Sequence, residues 1–209
     1  MPSLAHADIV KMIRAAAAKI RANEPHLSAL DSATGDGDHG TTICKVMDAA
    51  ENAAVADTGN NIAGLLDKVG WDVMCVDGGS APPLLGSFFT GMGEGAAGKD
   101  TLDASAFVAA LDAGVAGMRQ HSQAQIGDKT MMDALLPAVE AARAAACSGN
   151  VPATLRAAAE AATRGATATK EMAAKFGRAR NLGDRTKGHQ DPGATSVALM
   201  FQGFADAVK

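Results

Sequence analysis

The chain has 209 residues, enough to bury a core in one large domain or two small ones. Lys and Arg total 19 against 23 Asp and Glu, a formal charge of −4, which argues against a general nucleic-acid binder with its basic excess on one face. Apolar residues make up 47%, but alanine supplies close to half of them, aromatics are 3% and Tyr is absent. Such side chains suit closely packed helices, disfavour a sheet core, and exclude collagen, a disulfide scaffold and a disordered chain.

In chain order, a first helix is expected from Ser3, with Ile9, Ile13, Ala16 and Ile20 at helical spacing, up to a glycine-rich break at 35–40. A second begins near Thr41 and carries Ile43, Met47, Ala50 and Ala54 on one face. A third covers 61–76, with Ile62, Leu65, Leu66, Val69 and Val73 as its stripe. The loop 77–83 leads to a fourth holding Leu85, Phe88, Phe89 and Met92. Asp103 reads as the N-cap of a fifth, striped by Val108, Leu111, Val115 and Met118. A sixth opens after Gly127-Asp128 with Met131, Met132, Leu135 and Val139. Pro152 suits the first position of a long seventh, 152–176. The eighth starts at Asp191-Pro192 and carries Val197, Met200, Phe201 and Phe204. No segment reads as a strand, so one all-α domain is expected.

The N-terminus lacks a charged region followed by an apolar one, and no stretch approaches 18 uncharged apolar residues. Cys44, Cys75 and Cys147 have neither CxxC nor zinc spacing and read as small apolar residues of a reducing compartment. A cytoplasmic chain with no membrane partner is expected.

The breaks are unusually polar. Leu30 through Gly40, Asp77-Gly78-Gly79-Ser80, Gly127-Asp128-Lys129-Thr130, and 177–193 follow the first, third, fifth and seventh helices. Alternate connections of an up-and-down bundle share one end, so a site is expected there. Asp31, Asp36 and Asp38 crowd three negative charges within eight residues, interleaved with Gly35, Gly37 and Gly40. A divalent cation would offset their repulsion, and hard carboxylate oxygens suit Mg²⁺. A solvated acidic turn capping the second helix is the plainer alternative.

Two motifs are decoys. Gly35 through Gly40 satisfies GxGxxG, yet no strand precedes it and its acids would face a pyrophosphate. Gly93 through Lys99 matches GxxxxGK, but Asp100 stands where Ser or Thr is needed, and a flexible turn is the better reading. The Asp36-Gly37-Asp38 run also fails as a calcium loop, because Met47 occupies the bidentate Glu position.

Mg²⁺ usually shares its shell with phosphates, so a phosphate-bearing ligand is the natural partner. Gly78-Gly79-Ser80 before one helix, and Gly193 and Thr195 opening another, offer backbone N–H groups. Arg178, Arg180, Arg185 and Lys187 share one loop and would neutralise phosphate charge, or else form a solvated basic surface. His39 reads as a polar wall of the site. His189 sits in the 177–193 loop and is expected to orient its neighbours, while His6, His26 and His121 default to the surface.

In order and spacing these segments resemble the nucleotide-binding subunit, or L domain, of the dihydroxyacetone kinase family. The matching stretches are Leu30-Asp31 with 35–40, Gly78-Gly79-Ser80 with Pro83-Leu84, Gly86 and Phe88-Phe89, Gly127 through Met131, and Gly177-Arg178-Ala179 on to Gly188 through Ser196. The resemblance implies a single L domain of DAK2 type over 1–209: a closed, barrel-like bundle of eight antiparallel helices with an adenine nucleotide at one end. It implies that Asp31, Asp36 and Asp38 bind two Mg²⁺ ions bridging the phosphates of ADP or ATP. His39, Gly40, Thr41 and Thr42, with Gly79, Ser80 and Ala81, would line the phosphate region. Met131 would pack near the base and Ser122 stands where a Gly often lies against adenine. Arg178 would contact phosphate, and Asp191-Pro192-Gly193 would close the pocket.

The implied activity is phosphoryl transfer to dihydroxyacetone held on a separate substrate subunit, with Asp36, Asp38 and Arg178 as catalytic residues acting electrostatically. The resemblance leaves two donors open, an exchangeable ATP or a retained ADP recharged by a phosphotransferase-system protein, and it implies a second copy in a homodimer as a further partner. Another short ketose or polyol as acceptor, or a non-catalytic regulatory module, are the alternatives. The family commonly reads Gly-Gly-x-Ser-Gly-Pro-Leu, where this chain has Gly78-Gly79-Ser80-Ala81-Pro82-Pro83-Leu84: a hydroxyl is missing at Ala81 and an N–H at Pro82. Thr42 also replaces a frequent Asn.

Overall fold

Asp8 opens the first helix, α1 (His6–Ala22), by accepting the Ala5 N–H at 3.0 Å, and Asn23 closes it by donating to the Lys19 carbonyl at 2.8 Å. Pro25, whose ring would clash with the carbonyl four residues back, prevents continuation. The chain restarts as α2 (Glu24–Ser32). One helix was expected up to the first break; two are found, and the eight expected become nine among the described residues. The computed structural model describes residues 2–208, so Met1 and Lys209, the ends of the expected domain, lie outside the described residues.

The remaining helices are α3 (His39–Ala56), α4 (Ile62–Met74), α5 (Ala81–Gly95), α6 (Ala104–Arg119), α7 (Met132–Ala146), α8 (Val151–Ala168) and α9 (Pro192–Ala207). Four have side-chain caps of the ordinary kind: Asn61 accepts from Ala63 N, Asp103 from Ala106 N, Asn150 from Ala153 N and Asp191 from Ala194 N. The fourth predicted helix starts earlier than expected, at Ala81, because Pro82 and Pro83 fall in its first turn, where no intrahelical N–H bond is required.

The seventh predicted helix is shorter than expected. It ends at Ala168 and gives way to a 3₁₀ turn, Thr169–Glu171. The Thr169 carbonyl, which a longer helix would offer to the amide four residues on, accepts instead from Lys129 Nζ at 2.6 Å. A second 3₁₀ segment, Arg178–Thr186, breaks at Gly183, whose φ is +54°.

The expected absence of strands is also corrected. Ser3–Ala5 (β1) and Thr101–Asp103 (β2) pair antiparallel, Leu4 opposite Leu102, and both leucines are fully buried. Three-residue strands are too short to show alternation in a sequence.

From α3 onward each helix packs on the next, α1 packs on α3, and α9 returns to α1; α2 rests against α3 and α9. The core holds Phe88, Phe89, Phe107, Phe201 and Phe204, each fully or almost fully buried, with alanine and glycine at the closest helix contacts. Among the described residues no helix is long and apolar enough to cross a membrane.

Candidate functional site

The four polar breaks meet at one end, as the alternation of connections predicts. Arg178, in the fourth, reaches Asp36 and Asp38 in the first. In the second, Gly78 lies so close to Thr42 that an added Cβ would stand 2.7 Å from the threonine methyl. Lys129, in the third, donates to the Thr169 and His189 carbonyls of the fourth.

The acidic cluster is built by the turn between α2 and α3. Gly35 N donates to the Asp31 carbonyl at 2.5 Å, and Gly37 takes φ +81°, a left-handed turn that L side chains avoid. His39 N donates to Asp31 Oδ2 at 3.2 Å and ties the carboxylate to the start of α3. Asp31, Asp36 and Asp38 each offer one oxygen, all within 4.8 Å of one another. The Arg178 guanidinium sits directly on Asp36 and 3.9 Å from Asp38. Three convergent hard-oxygen donors, two of them solvent-exposed, fit an octahedral cation that keeps waters and phosphate oxygens in its shell.

His39 is turned away from the acids. Its Nε2 lies 2.7 Å from Ser196 Oγ, which in turn donates to the Pro192 carbonyl at 3.0 Å. Burial lowers its pKa, against the pull of Asp31, so the ring is neutral at neutral pH. Gly40 is buried, and a Cβ there would lie 2.5 Å from the Glu24 carbonyl oxygen, so its glycine is required by the α2 contact. Thr41 is exposed and Thr42 half-buried beside Gly78.

Gly79 has open space around it, Ser80 is exposed, and Ala81 is buried at the start of α5. Met131 is buried against Gly193 and shares an apolar wall with Ser196 and Val197. Asp191 caps α9 at 2.7 Å, and Pro192 and Gly193 form its first turn. Ser122 accepts from Ala124 N at 3.2 Å and so serves its own loop. The structure thus links the aspartates with Arg178, His39 with the start of α9, and Met131 with Gly193.

Lys129, Asp133 and Thr169 were not singled out as site residues. Lys129 is 3% exposed with φ +59°, and its Nζ ties the end of α8 to the chain just before Asp191. Burial lowers its pKa, with Asp191 and Asp133 opposing. Asp133, also buried, accepts from Gly127 N at 2.6 Å and Thr130 N at 2.7 Å, shaping the loop that presents Met131. Asp191 N donates to Thr169 Oγ1 at 2.8 Å. The available signal was the polar Gly127-Asp128-Lys129-Thr130 break, but nothing in it says that the lysine turns inward.

Burial pushes the Asp191 carboxyl up to about 7, with the Ala194 N–H and Lys129 opposing. A carboxyl whose folded pKa exceeds its unfolded value binds protons on folding, so its contribution to stability declines as pH rises from about 4 to 7 and is constant above. Asn at this position can still cap α9. The Asp191→Asn variant is therefore expected to gain on the wild type across that window, by roughly 1–3 kcal/mol at its upper end. Urea titrations at a series of pH values check this, and parallel stability curves would contradict it.

The chain is similar to known proteins along nearly its whole length. The DAK2 domain model matches residues 33–206, beginning two residues after Asp31. The ADP-binding subunit DhaL of the PEP-dependent dihydroxyacetone kinase of Escherichia coli is 33% identical over 99% of both chains. The D-erythrulose kinase of Mycolicibacterium smegmatis is 35% identical over 88% of this chain and 32% of its own length. The crystal structure of the dihydroxyacetone kinase of Citrobacter freundii with AMP-PNP and Mg²⁺ superposes with a TM-score of 0.73 at 30% identity, covering 94% of this chain. This chain spans about a third of that protein. The chain therefore belongs to the DAK2 domain family and is related to the ADP-binding subunits of dihydroxyacetone kinases.

Proposed function

We propose that this chain is the nucleotide-binding, phosphoryl-transferring subunit of a dihydroxyacetone-type kinase. It would work with a separate subunit that holds the ketose, in the cytoplasm, where its three free cysteines suit a reducing compartment. The observation that carries this reading is the convergence of Asp31, Asp36 and Asp38 within 4.8 Å, with Arg178 against them.

Asp31, Asp36 and Asp38 would hold two Mg²⁺ ions, and Asp31 is the best oriented because the His39 amide fixes one of its oxygens. Bound there, Mg²⁺ would neutralise charge on the phosphates of ATP or ADP and on the phosphoryl group in transit. Arg178 would move from the carboxylates to phosphate oxygens once the acids are neutralised, adding charge where the transition state develops it. Neutral His39, bonded to Ser196, would be a fixed polar wall rather than a base. Met131 and Gly193 would bound the nucleotide on the side of α9, and Gly79 and Ser80 would face the phosphates. The packing of α9 on α1 supports a closed, barrel-like bundle.

The similarity to a D-erythrulose kinase supports a second short ketose as the acceptor. The test is reconstitution of the purified chain with Mg²⁺, ATP and a dihydroxyacetone-binding subunit. Triose phosphate should form only when both subunits are present. Absence of any ketose phosphate with every ketose-binding subunit tried, whether dihydroxyacetone or erythrulose is offered, would overturn the reading.

A further inference from the structure

Lys129 carries two costs at once. Among the described residues it is the one non-glycine with a left-handed backbone, and it is almost wholly buried. A side chain crowds the backbone at such a φ, and an ammonium taken out of water loses its hydration. Strain of this kind persists only where the surroundings over-determine it, and it gathers at working sites.

The ammonium sits at the neck of a hoop. The chain leaves the bundle at Thr169 and returns at His189, and Lys129 Nζ donates to both carbonyls, at 2.6 Å to that of Thr169. Beside it the two ends also meet directly. Gly188 N donates to the Lys170 carbonyl at 2.7 Å, and Asp191 N to Thr169 Oγ1 at 2.8 Å. Further along, the hoop is tied to itself: buried Thr186 accepts from Ala174 N at 2.9 Å and donates to the Gly183 carbonyl at 2.7 Å. A loop with closed ends and its own packed interior is a compact unit.

Beyond its neck, and among the described residues, the hydrogen bonds and ion pairs of the hoop reach the bundle at two places. One is Asp128, which accepts the Lys175 amide at 3.1 Å and Lys175 Nζ at 2.7 Å. The other is the pair Asp36 and Asp38, where Arg178 stands. Asp128 and Lys129 are thus the fixed end of the hoop, and Arg178 is its free end. Lys129 is itself held from α7, because Asp133 accepts the amides of Gly127 and Thr130 on either side of it.

Resting on the function proposed above, we infer that Lys129 is a positioning residue for phosphoryl transfer: its ammonium closes the neck of the hoop and so holds Arg178 at the acidic cluster. With the ammonium gone, the two neck carbonyls lose their shared donor and the hoop swings on Asp128 alone. Arg178 then spends less of its time where the transferred charge develops. The three aspartates keep their own turn and are untouched.

The test is a double-mutant cycle, with hydrogen exchange beside it. The full chain and its Lys129→Met, Arg178→Ala and double variants are assayed with Mg²⁺, a ketose-binding subunit and the phosphoryl donor that supports transfer by the wild type. Lys129→Met is expected to lower kcat about ten- to a hundredfold, no more than loss of the guanidinium itself. Mg²⁺-ADP affinity, read by calorimetry, should change less than about threefold, and in the Arg178→Ala background the substitution should cost kcat less than about threefold. Equal losses of kcat in both backgrounds would overturn the inference, as would weakened Mg²⁺-ADP binding with kcat unchanged; either result makes Lys129 a staple of the fold only. In the wild type the Gly188 and Asp191 amides should exchange about tenfold or more slowly than those of exposed Phe176 and Gly177. Neck amides that exchange as fast would overturn the inference whether or not the variants fold. No transfer by the wild type with any ketose-binding subunit would overturn the functional reading, and the inference with it.

Discussion

Replacing Asp36 with alanine is expected to lower phosphoryl transfer by about three orders of magnitude or more, because electrostatic stabilisation is nearly the whole of catalysis in this class of reaction. Asp36 is one of three convergent carboxylates and the one that Arg178 sits on. Its removal takes away a metal ligand and also leaves Arg178 without its closest anchor. Stability should change by no more than about 0.5 kcal/mol, since the side chain is exposed and like charges crowd it. Far-ultraviolet circular dichroism and a thermal melt would confirm the fold, and an assay with the ketose-binding subunit would report transfer. Arg178→Ala should cost less, about a hundredfold, because the cation cluster survives. Transfer at wild-type rate by the Asp36 variant would remove the acidic cluster from the mechanism.

The second large effect is on stability and lies far from chemistry. Gly203 of α9 rests on α1, where a Cβ would run into Ala16 Cα and stand 2.6 Å from Ala16 N and 2.9 Å from Ala15 C. All three are backbone atoms, so no rotamer change can make room. Gly203→Val must therefore push apart the two helices that close the circuit. The expected cost is about 3 kcal/mol, at the upper end for overpacking, which lowers Tm by roughly 6–12 °C in a chain of this size. Gly79→Ala, with nothing within 4 Å, is the control and should stay within about 0.5 kcal/mol. Differential scanning calorimetry of the two variants separates a specific close approach from a general intolerance of larger side chains.

The helices were legible because their apolar stripes are long enough to show a period. The stripes Ile62, Leu65, Leu66, Val69 and Val73, then Leu85, Phe88, Phe89 and Met92, and Val197, Met200, Phe201 and Phe204 all lie buried on the helices expected of them. Asp103 was legible as a cap by residue type and position alone, and Asp191, legible as the start of the last helix, caps it. The split at Asn23 was missed although Pro25 signals it, since the apolar stripe of α1 continues across the break to Leu27. The pairing of Leu4 with Leu102 leaves no trace in either segment, because its partner is almost a hundred residues away.

At the site, the cluster of hard-oxygen donors was legible before any fold. Three aspartates among glycines within eight residues converge because the intervening turn is local, and the even spacing of polar breaks implied that they meet at one end. Tertiary structure alone decided which groups touch. His39 turns to Ser196, Gly40 is taken up by the α2 contact, Ser122 bonds within its own loop, and Arg178 reaches Asp36 from a distant segment of the chain. It also decided that Lys129 points inward, where two carbonyls from distant segments and the nearby Asp133 and Asp191 make a buried cation tolerable. Burial and partnership are properties of neighbours that folding supplies, and a residue's own type does not carry them.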